Sequence, residues 1–159
     1  MADLFGRVFQ KGISTDNPRL MQTKADVVKD LVKRGGAPIV KKTHSCWIAR
    51  QAKHCGRCVP CVVRRFATEA AGVADVKYEQ DIFSAPGPVE EDSFANIGDY
   101  LLFIRRLSMS TDDDLLFDYP DLNVSGDGDL VAKLLKTHRK WASQVERTIK
   151  KYPALDSLY

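Results

Sequence analysis

Four cysteines carry the clearest chemical signal in this chain of 159 residues, which contains no others. They lie within sixteen positions in the spacing C-x8-C-x2-C-x2-C, at Cys46, Cys55, Cys58 and Cys61. Thiolates bind zinc well, and four of them at short spacings can surround one tetrahedral ion, as in closed structural zinc sites. The sequence therefore predicts that these residues, which we call the cysteine cluster, bind zinc as the cofactor.

Two other interpretations of the cysteine cluster remain open, an iron–sulfur site and metal-free thiols. Bacterial ferredoxins share a C-x2-C-x2-C run, but there a further cysteine follows downstream and precedes a proline. Here the fourth cysteine lies upstream and Cys61 is followed by Val-Val-Arg-Arg, which favours zinc. His44 and His54 flank the cluster, and either could replace a cysteine, although a supporting position is the plainer reading. A closed four-thiolate shell has no open coordination position, so we predict no catalytic residue in it.

The composition indicates a single globular unit. Hydrophobic residues make up 44% of the chain and charged residues 28%, and the net charge is +3. No apolar run approaches the roughly 20 residues that cross a bilayer, and the first residues do not resemble a signal peptide. Clustered cysteines in such a chain are typical of metal binding rather than of disulfides. We therefore expect a cytoplasmic protein that does not interact with membranes.

Helices are predicted on both sides of the cysteine cluster. Thr23 and Asp26 have capping-box spacing at the start of the first, and Gly35-Gly36 ends it. Residues 37–40 are expected to form a short extended segment that leads to the cysteines. A second helix is predicted from about Pro60, with Cys61 in its first turn, an opposite polar face that includes Arg64 and Arg65, and an end at Gly72. Replacing Cys58 by Ser should release the metal and unfold at least residues 44–70.

The remainder of the chain is predicted to be helical as well. A Pro- and Gly-rich breaker at 84–88 precedes a helix over 90–109, a short helix capped by Thr111, and a last helix over 129–152. The inward face of the helix over 90–109 is predicted from its apolar residues, Phe94, Ile97, Leu101, Leu102, Ile104 and Leu107. The predicted fold is mainly α, with helices around a four-cysteine zinc knot and at most short extended segments. We expect residues 1–83 to bear the zinc and residues 84–159 to form a helical extension packed on them as one compact unit.

The residues that flank the cysteines form a pattern of their own. It begins at Asn17-Pro18, continues through Thr23-Lys24-Ala25-Asp26, and includes Ser45-Cys46-Trp47, His54-Cys55-Gly56, Arg64-Arg65 and Asp75-x-x-Tyr78. Over about 17–78 this pattern resembles the C-terminal part of the 7-cyano-7-deazaguanine synthases. The resemblance implies an ATP-dependent ligase of queuosine-type metabolism, which converts 7-carboxy-7-deazaguanine and ammonia to the nitrile. It also implies a structural zinc site that lies beside the substrate pocket.

The nucleotide-binding half of that family has no counterpart in this sequence. In the family this half begins with a PP-loop, Ser-Gly-Gly-x-Asp-Ser, whose backbone amides surround the pyrophosphate. Here the only Gly-Gly, Gly35-Gly36, follows a predicted helix and has no serine after it. We therefore expect the chain to be inactive alone and to need a PP-loop domain or chain as its partner. It would be a fragment, a split subunit or a reassigned relative, such as those of anti-phage defence systems.

Two functions from different classes remain as hypotheses. In the first, the chain is the zinc-bearing part of a 7-deazaguanine-forming synthase. Ser45, Arg64 and Arg65 are then its tentative substrate contacts, near a carboxylate or phosphate, although helix-face arginines usually serve only as solvated surface. In the second, the chain is a non-catalytic zinc module, and the basic face of its last helix binds a protein or nucleic acid. A homo-oligomer is compatible with both hypotheses.

Overall fold

The computed structural model describes residues 2–12, 16–48, 53–84, 91–123, 126–156 and 159. Helices dominate these ranges, which contain no strand. The helices are α1 Ala2–Phe9, α2 Lys24–Lys33, α3 Ala37–Lys42, α4 Val59–Ala71, α5 Glu91–Met109, α6 Asp112–Asp118, a 3-10 helix Pro120–Asn123, α7 Gly128–Ile149 and α8 Pro153–Asp156. Extended pairing within the described residues is limited to one parallel bridge between His54 and Tyr78. The predicted mainly α fold is confirmed.

Side-chain caps begin two of the helices where the sequence places them. The Thr23 hydroxyl accepts from the Asp26 N–H and the Asp26 carboxylate accepts from the Thr23 N–H, both at 3.1 Å. Thr111 and Asp114 form the same reciprocal box at the start of α6. These boxes satisfy amides that have no partner inside the helix, so the chain enters both helices at a defined residue.

The expectation of an extended segment over residues 37–40 is wrong, because these residues begin α3. Pro38 lies in the first turn, where a helix has no use for the missing N–H. Gly36 precedes the helix and donates its N–H to Leu31 O at 2.9 Å, which closes α2 directly before α3 begins. The Thr43 N–H then donates to the carbonyls of Ile39 and Val40. A helix of six residues therefore replaces the predicted extended segment.

The two long helices differ from the sequence prediction in detail. Helix α5 buries Ile97, Leu101, Ile104 and Leu107, whereas Leu102 is 63% exposed and lies outside the predicted inward face. The side chain of Phe94, like the breaker residues 85–88, lies outside what the structure describes. Helix α7 ends at Ile149 rather than at residue 152, since the residue before a proline is disfavoured in a helix and Pro153 begins α8. No described helix is long and apolar enough to cross a membrane.

One main hydrophobic cluster joins α4 to the helices that follow it. The buried Phe66 ring lies 4.7 Å from the Phe83 ring and 5.9 Å from the Tyr100 ring, centroid to centroid. The buried members of this main cluster are Val62, Phe66, Ile82, Phe83, Ile97, Leu101, Ile104, Leu107, Leu115, Val131, Leu135, Ala142, Val145, Ile149 and Leu155. Helix α4 therefore reaches from the cysteines at its start into the main cluster. The division at residue 83 stays a prediction.

Candidate metal centre

The four cysteines form a second, smaller buried cluster with Tyr78. Their Sγ atoms all lie within 4.8 Å of one another. Cys55 Sγ is 3.9 Å from Cys61 Sγ, and Cys46 Sγ is 3.9 Å from Cys58 Sγ. None of the four is more than 8% exposed, and none forms a disulfide. This arrangement can hold one metal ion.

The start of α4 positions two of the four thiols, as the sequence predicts. Cys58 is the residue that caps the helix, Pro60 lies in its first turn, and Cys61 follows it there. The Cys58 N–H donates to Cys55 Sγ at 3.4 Å, so a backbone amide also supports the sulfur shell. Amides near a helix start can stabilise the negative charge of thiolates that are bound to a metal.

Gly56 makes the turn between Cys55 and Cys58 possible. Its φ of +82° lies in the left-handed region, which side chains disfavour. A Cβ atom there would lie 1.8 Å from Gln80 O, a backbone atom that cannot move aside cheaply. The Gln80 N–H donates to Cys55 O at 3.2 Å, and the Glu79 N–H donates to His54 O at 2.9 Å. Residues 78–80 therefore back the cysteine loop so closely that only glycine fits at position 56.

His54 lies beside the sulfur atoms rather than among them. Its Nδ1 is 3.8 Å from Cys61 Sγ, and its side chain is buried. The ring lies 4.7 Å from the His44 ring and 5.7 Å from the Tyr78 ring, centroid to centroid. Burial and the nearby Arg64 charge lower the pKa of His54, so the neutral imidazole is favoured. This placement matches the supporting role that the sequence suggests for a flanking histidine.

Burial also affects the protonation of the thiols. It raises the pKa of both Cys55 and Cys61 above the ordinary thiol value. Without a metal these cysteines are therefore protonated at neutral pH. Metal ions bind the deprotonated form, so binding here must release protons.

Arg64 is buried, although the sequence places it on the polar face of α4. Its Nε and Nη2 donate to the Asp75 carboxylate, with Nη2 2.7 Å from Oδ1. Its Nη1 donates to Thr43 O and Oγ1, at 2.9 and 2.7 Å, and Nη2 also donates to Val40 O at 2.6 Å. All five N–H donors of the guanidinium are thus occupied. Arg64 ties the end of α3 to α4, one turn beyond Cys61.

Asp75 is the important residue that sequence reasoning leaves without a role. Its carboxylate accepts from Arg64, from the Tyr78 hydroxyl at 2.6 Å, from the Thr68 hydroxyl at 3.0 Å and from the Val76 N–H at 2.8 Å. Burial opposes ionisation, but these donors hold the pKa of Asp75 below its ordinary value. In the sequence Asp75 belongs to the pattern Asp75-x-x-Tyr78, but this pattern does not indicate that Arg64 is its ion-pair partner.

The three predicted substrate contacts do not share one cavity. Ser45 and Arg64 line a cavity of about 260 Å³ together with Lys24 and apolar residues of α2. Arg65 lines a separate cleft of about 670 Å³. It pairs there with Asp81 and Glu69, and its guanidinium lies 4.6 Å from the centre of the Phe83 ring. Substrate contact by these residues stays a prediction.

A family model described as "Queuosine biosynthesis protein QueC" matches residues 4–72, somewhat less than half of the chain. No curated protein and no solved structure gives a significant match. The matched range contains all four cysteines and ends at Gly72, the left-handed residue that terminates α4. QueC is the 7-cyano-7-deazaguanine synthase family, so the resemblance inferred from the flanking residues is confirmed. Residues 4–72 are therefore a QueC-type segment that includes the cysteine cluster.

Proposed function

We propose that the cysteine cluster binds one zinc ion, within the C-terminal portion of an enzyme like the 7-cyano-7-deazaguanine synthases. The observation that carries the proposal is the convergence of four buried thiols inside the QueC-type segment. Four thiolates in a tetrahedron about 2.3 Å from zinc are separated by roughly 3.8 Å. Two of the Sγ pairs lie 3.9 Å apart and all lie within 4.8 Å, so the donor set fits zinc. An iron–sulfur cluster fits less well, because its thiolates bind different iron atoms.

Zinc in this position would be structural. Four thiolates complete its shell, so it would hold the loop around Cys46 and Cys55 against the start of α4 without binding substrate. Sites of this kind supply about 10 kcal/mol or more of apparent folding free energy. The segments on either side of the cluster would then be kept in place for a neighbouring substrate.

The proposed reaction requires a nucleotide-binding half besides this sequence. ATP would activate the carboxylate of 7-carboxy-7-deazaguanine, and ammonia would displace the activated oxygen to give the amide. A second ATP would activate the amide oxygen, whose loss gives the nitrile, in a ligase-type reaction of queuosine-type metabolism. A PP-loop domain or chain would bind the ATP, and this chain would complete the substrate site. We place the reaction in the cytoplasm because the four thiols are unbridged, as in a reducing compartment.

The candidate substrate contacts take different roles in this proposal. Because Ser45 and Arg65 line separate cavities, they would contact different groups, Ser45 the substrate carboxylate and Arg65 a phosphate. Arg64 would be a positioning residue that does not contact the substrate, because each of its N–H donors already has a partner inside the chain. It holds Thr43, two residues before Ser45, and so fixes the backbone that presents the serine hydroxyl.

Two measurements test the proposal. Metal analysis of the purified chain should give one zinc per chain and no iron. Mixing the chain with a protein that carries the Ser-Gly-Gly-x-Asp-Ser loop, ATP, ammonia and 7-carboxy-7-deazaguanine should give nitrile and consume ATP. Neither protein should do so alone, and Cys58→Ser should abolish the joint activity.

Two outcomes would contradict the parts of the proposal separately. Iron in place of zinc would overturn the metal assignment. The chain could bind zinc but form no nitrile when it is mixed with the PP-loop proteins that are encoded beside it. This result would leave the metal assignment standing and overturn the synthase role. ATP hydrolysis by the chain alone would also contradict the expectation of a second half.

A further inference from the structure

The charges of this chain are distributed unevenly around the cysteine cluster. Residues 31–68 contain none of the 21 acidic residues of the chain but nine of its 24 lysines and arginines. The net charge of the whole chain is only +3, so the other residues together are negative. The modest overall charge therefore conceals a strongly basic segment, and the cysteine cluster lies inside it.

The fold gathers part of this basic segment around the start of α4. Lys41 and Lys42 form the last turn of α3, and Arg64 holds the carbonyls on either side of them, those of Val40 and Thr43. Lys53 lies two residues before Cys55 in the sequence. Because the Sγ atoms of Cys46 and Cys55 lie within 4.8 Å of each other, the stretches of chain that lead from Lys42 and from Lys53 to these cysteines converge at the cluster.

The three lysines are available to a ligand. Lys41, Lys42 and Lys53 are exposed, and none of them makes an ion pair with any residue in the described ranges. Several cations of α7, which the sequence offers as a basic face, are instead paired with carboxylates. Lys133 pairs with Asp129, Arg139 with Asp112 and Lys140 with Asp26, at 2.5–2.6 Å. Three other cations of α7, Lys136, Arg147 and Lys150, make no ion pair within the described residues either, but their helix also carries Asp129 and Glu146, whereas residues 31–68 contain no acidic residue.

An exposed aromatic ring accompanies this charge. Trp47 follows Cys46 directly and is 74% exposed, and its neighbour Ile48 is 53% exposed. Cys46, directly before Trp47, is buried in the cysteine cluster and holds the backbone there. The indole ring is therefore attached to a fixed part of the chain. Phe117, which is 87% exposed, lies in the acid-rich helix α6, where phosphates would be repelled.

We propose that Trp47, Lys41, Lys42 and Lys53 form a binding surface for single-stranded nucleic acid. The lysines would contact successive phosphates, and an unpaired base would stack on the indole ring. This combination is the general one for sequence-tolerant single-strand binding, in which cations follow the backbone and aromatic rings hold bases. In a duplex the bases are stacked inside the helix, so duplex DNA would contact only the lysines and not the indole ring. The proposal does not depend on the synthase reaction.

The test is fluorescence anisotropy of the metal-loaded chain with labelled single strands of about 12 nucleotides. Binding should weaken steeply between about 50 and 200 mM salt. Replacing the three lysines by Gln should reduce the slope of log K against log salt by about 2, because each phosphate contact on a single strand contributes about 0.7. Trp47→Ala should weaken binding about tenfold, and Trp47→Phe should retain most of it.

Matched variants separate this surface from general charge effects. The triple variant Lys136→Gln, Arg147→Gln, Lys150→Gln removes the same charge from α7 and should leave the slope unchanged. Phe117→Ala removes an exposed ring that lies outside this surface and should leave the affinity unchanged. Unchanged metal content and helix content in every variant would show that each one folds.

Several results would overturn the proposal. These are no binding by the wild-type chain at low salt, equal losses from Trp47→Ala and Phe117→Ala, or an equal change in slope from the two triple variants. Equal affinity for duplex DNA would exclude base stacking. Equal affinity for polyglutamate would show a general surface for acidic partners instead.

Discussion

At the scale of single residues, the pair of Arg64 and Asp75 organises the segment beyond the cysteines. Both side chains are buried, 5% and 3% exposed, and each has several hydrogen-bond partners. A buried charge is tolerated only when it is paired and hydrogen-bonded, and removing one partner leaves the other uncompensated. Arg64 and Asp75 therefore stabilise the fold as a unit that connects α3, α4 and the loop after α4.

Asp75→Asn tests this unit. We expect a loss of about 3 kcal/mol in the free energy of unfolding, because the Arg64 charge stays buried without its counter-ion. Urea denaturation measures the loss. Asp129→Asn is the control, since it removes an exposed carboxylate that pairs with Lys133 and should have a much smaller effect. Equal effects of the two substitutions would mean that burial of the Arg64 pair is unimportant.

The same pair predicts a pH dependence. The donors around Asp75 lower its pKa in the folded state, whereas the unfolded value is near 3.9. A lowered folded pKa stabilises the protein above the unfolded pKa, and this contribution is lost as the pH falls through the folded value. The difference in unfolding free energy between wild type and Asp75→Asn should stay constant down to about pH 5 and shrink below about pH 4. Measuring both proteins without metal excludes effects of metal release.

Gly56 gives a second prediction for a single residue. Gly56→Ala should weaken metal binding at least tenfold, because the new Cβ would overlap Gln80 O and displace the loop between Cys55 and Cys58. Gly35→Ala is the control, with a similar φ of +81° but no atom within 4 Å of its Cβ position. It should cost about 1 kcal/mol of stability and leave metal affinity unchanged. Competition with a chromophoric chelator measures the affinity, and equal losses in both variants would argue against the close approach at position 56.

At the scale of elements, α4 connects the two buried clusters. Its first turn carries Cys61, and its next turns place Val62 and Phe66 in the main hydrophobic cluster with α5 and α7. The helix also packs against α2, and Arg64 joins it to the end of α3. The position of the metal centre relative to the other helices thus depends on how well α4 packs.

Phe66→Ala should therefore destabilise the whole protein. Removing a fully buried ring typically costs about 3–5 kcal/mol, and here it also leaves a cavity beside Phe83 and Tyr100. Phe117→Ala, at a ring that is 87% exposed, is the control and should change the unfolding free energy little. Thermal denaturation compares them. A small loss for Phe66→Ala would mean that α4 is not central to the core.

At the scale of the whole molecule, the cysteine cluster and the main hydrophobic cluster are separate. This separation determines which parts of the fold would lose stability if the metal were removed. The sequence predicts that loss of a ligand unfolds at least residues 44–70. From Val62 onward, however, α4 is held by the main cluster, whose residues extend to Leu155 and include no cysteine. A metal bound there would therefore be needed mainly by the cysteine loop, and the helices have their own core.

Chelation with EDTA should accordingly loosen the loop and spare the helices. Amide hydrogen exchange of residues 53–58 should accelerate, while α5 and α7 keep their protection and far-UV circular dichroism falls only slightly. Cys58→Ser should behave like the chelated wild type. Cooperative loss of all helices on chelation would show instead that the metal supports the entire fold.

The sequence by itself determined the parts of this protein that depend on neighbours along the chain. The spacing of the cysteines, the two Thr-Asp capping boxes, Pro60 at the start of α4 and Gly72 at its end all act within one or two helical turns. Such local features can be predicted without a structure, and so can the resemblance of the surrounding residues to the QueC family. Residues 37–40 were misjudged because a proline fits both an extended segment and a helix start.

Only the tertiary structure decided which distant groups meet. The fold joins Arg64 to Asp75 and separates Arg64 from Arg65 into different cavities. It also pairs cations of α7 with acids elsewhere, while the lysines near the cysteines make no ion pair within the described part of the chain. A polar side chain on a helix face is exposed or buried according to what packs against it, and helical periodicity does not contain that information. The cysteines were identified from spacing alone, but their surroundings were determined by packing.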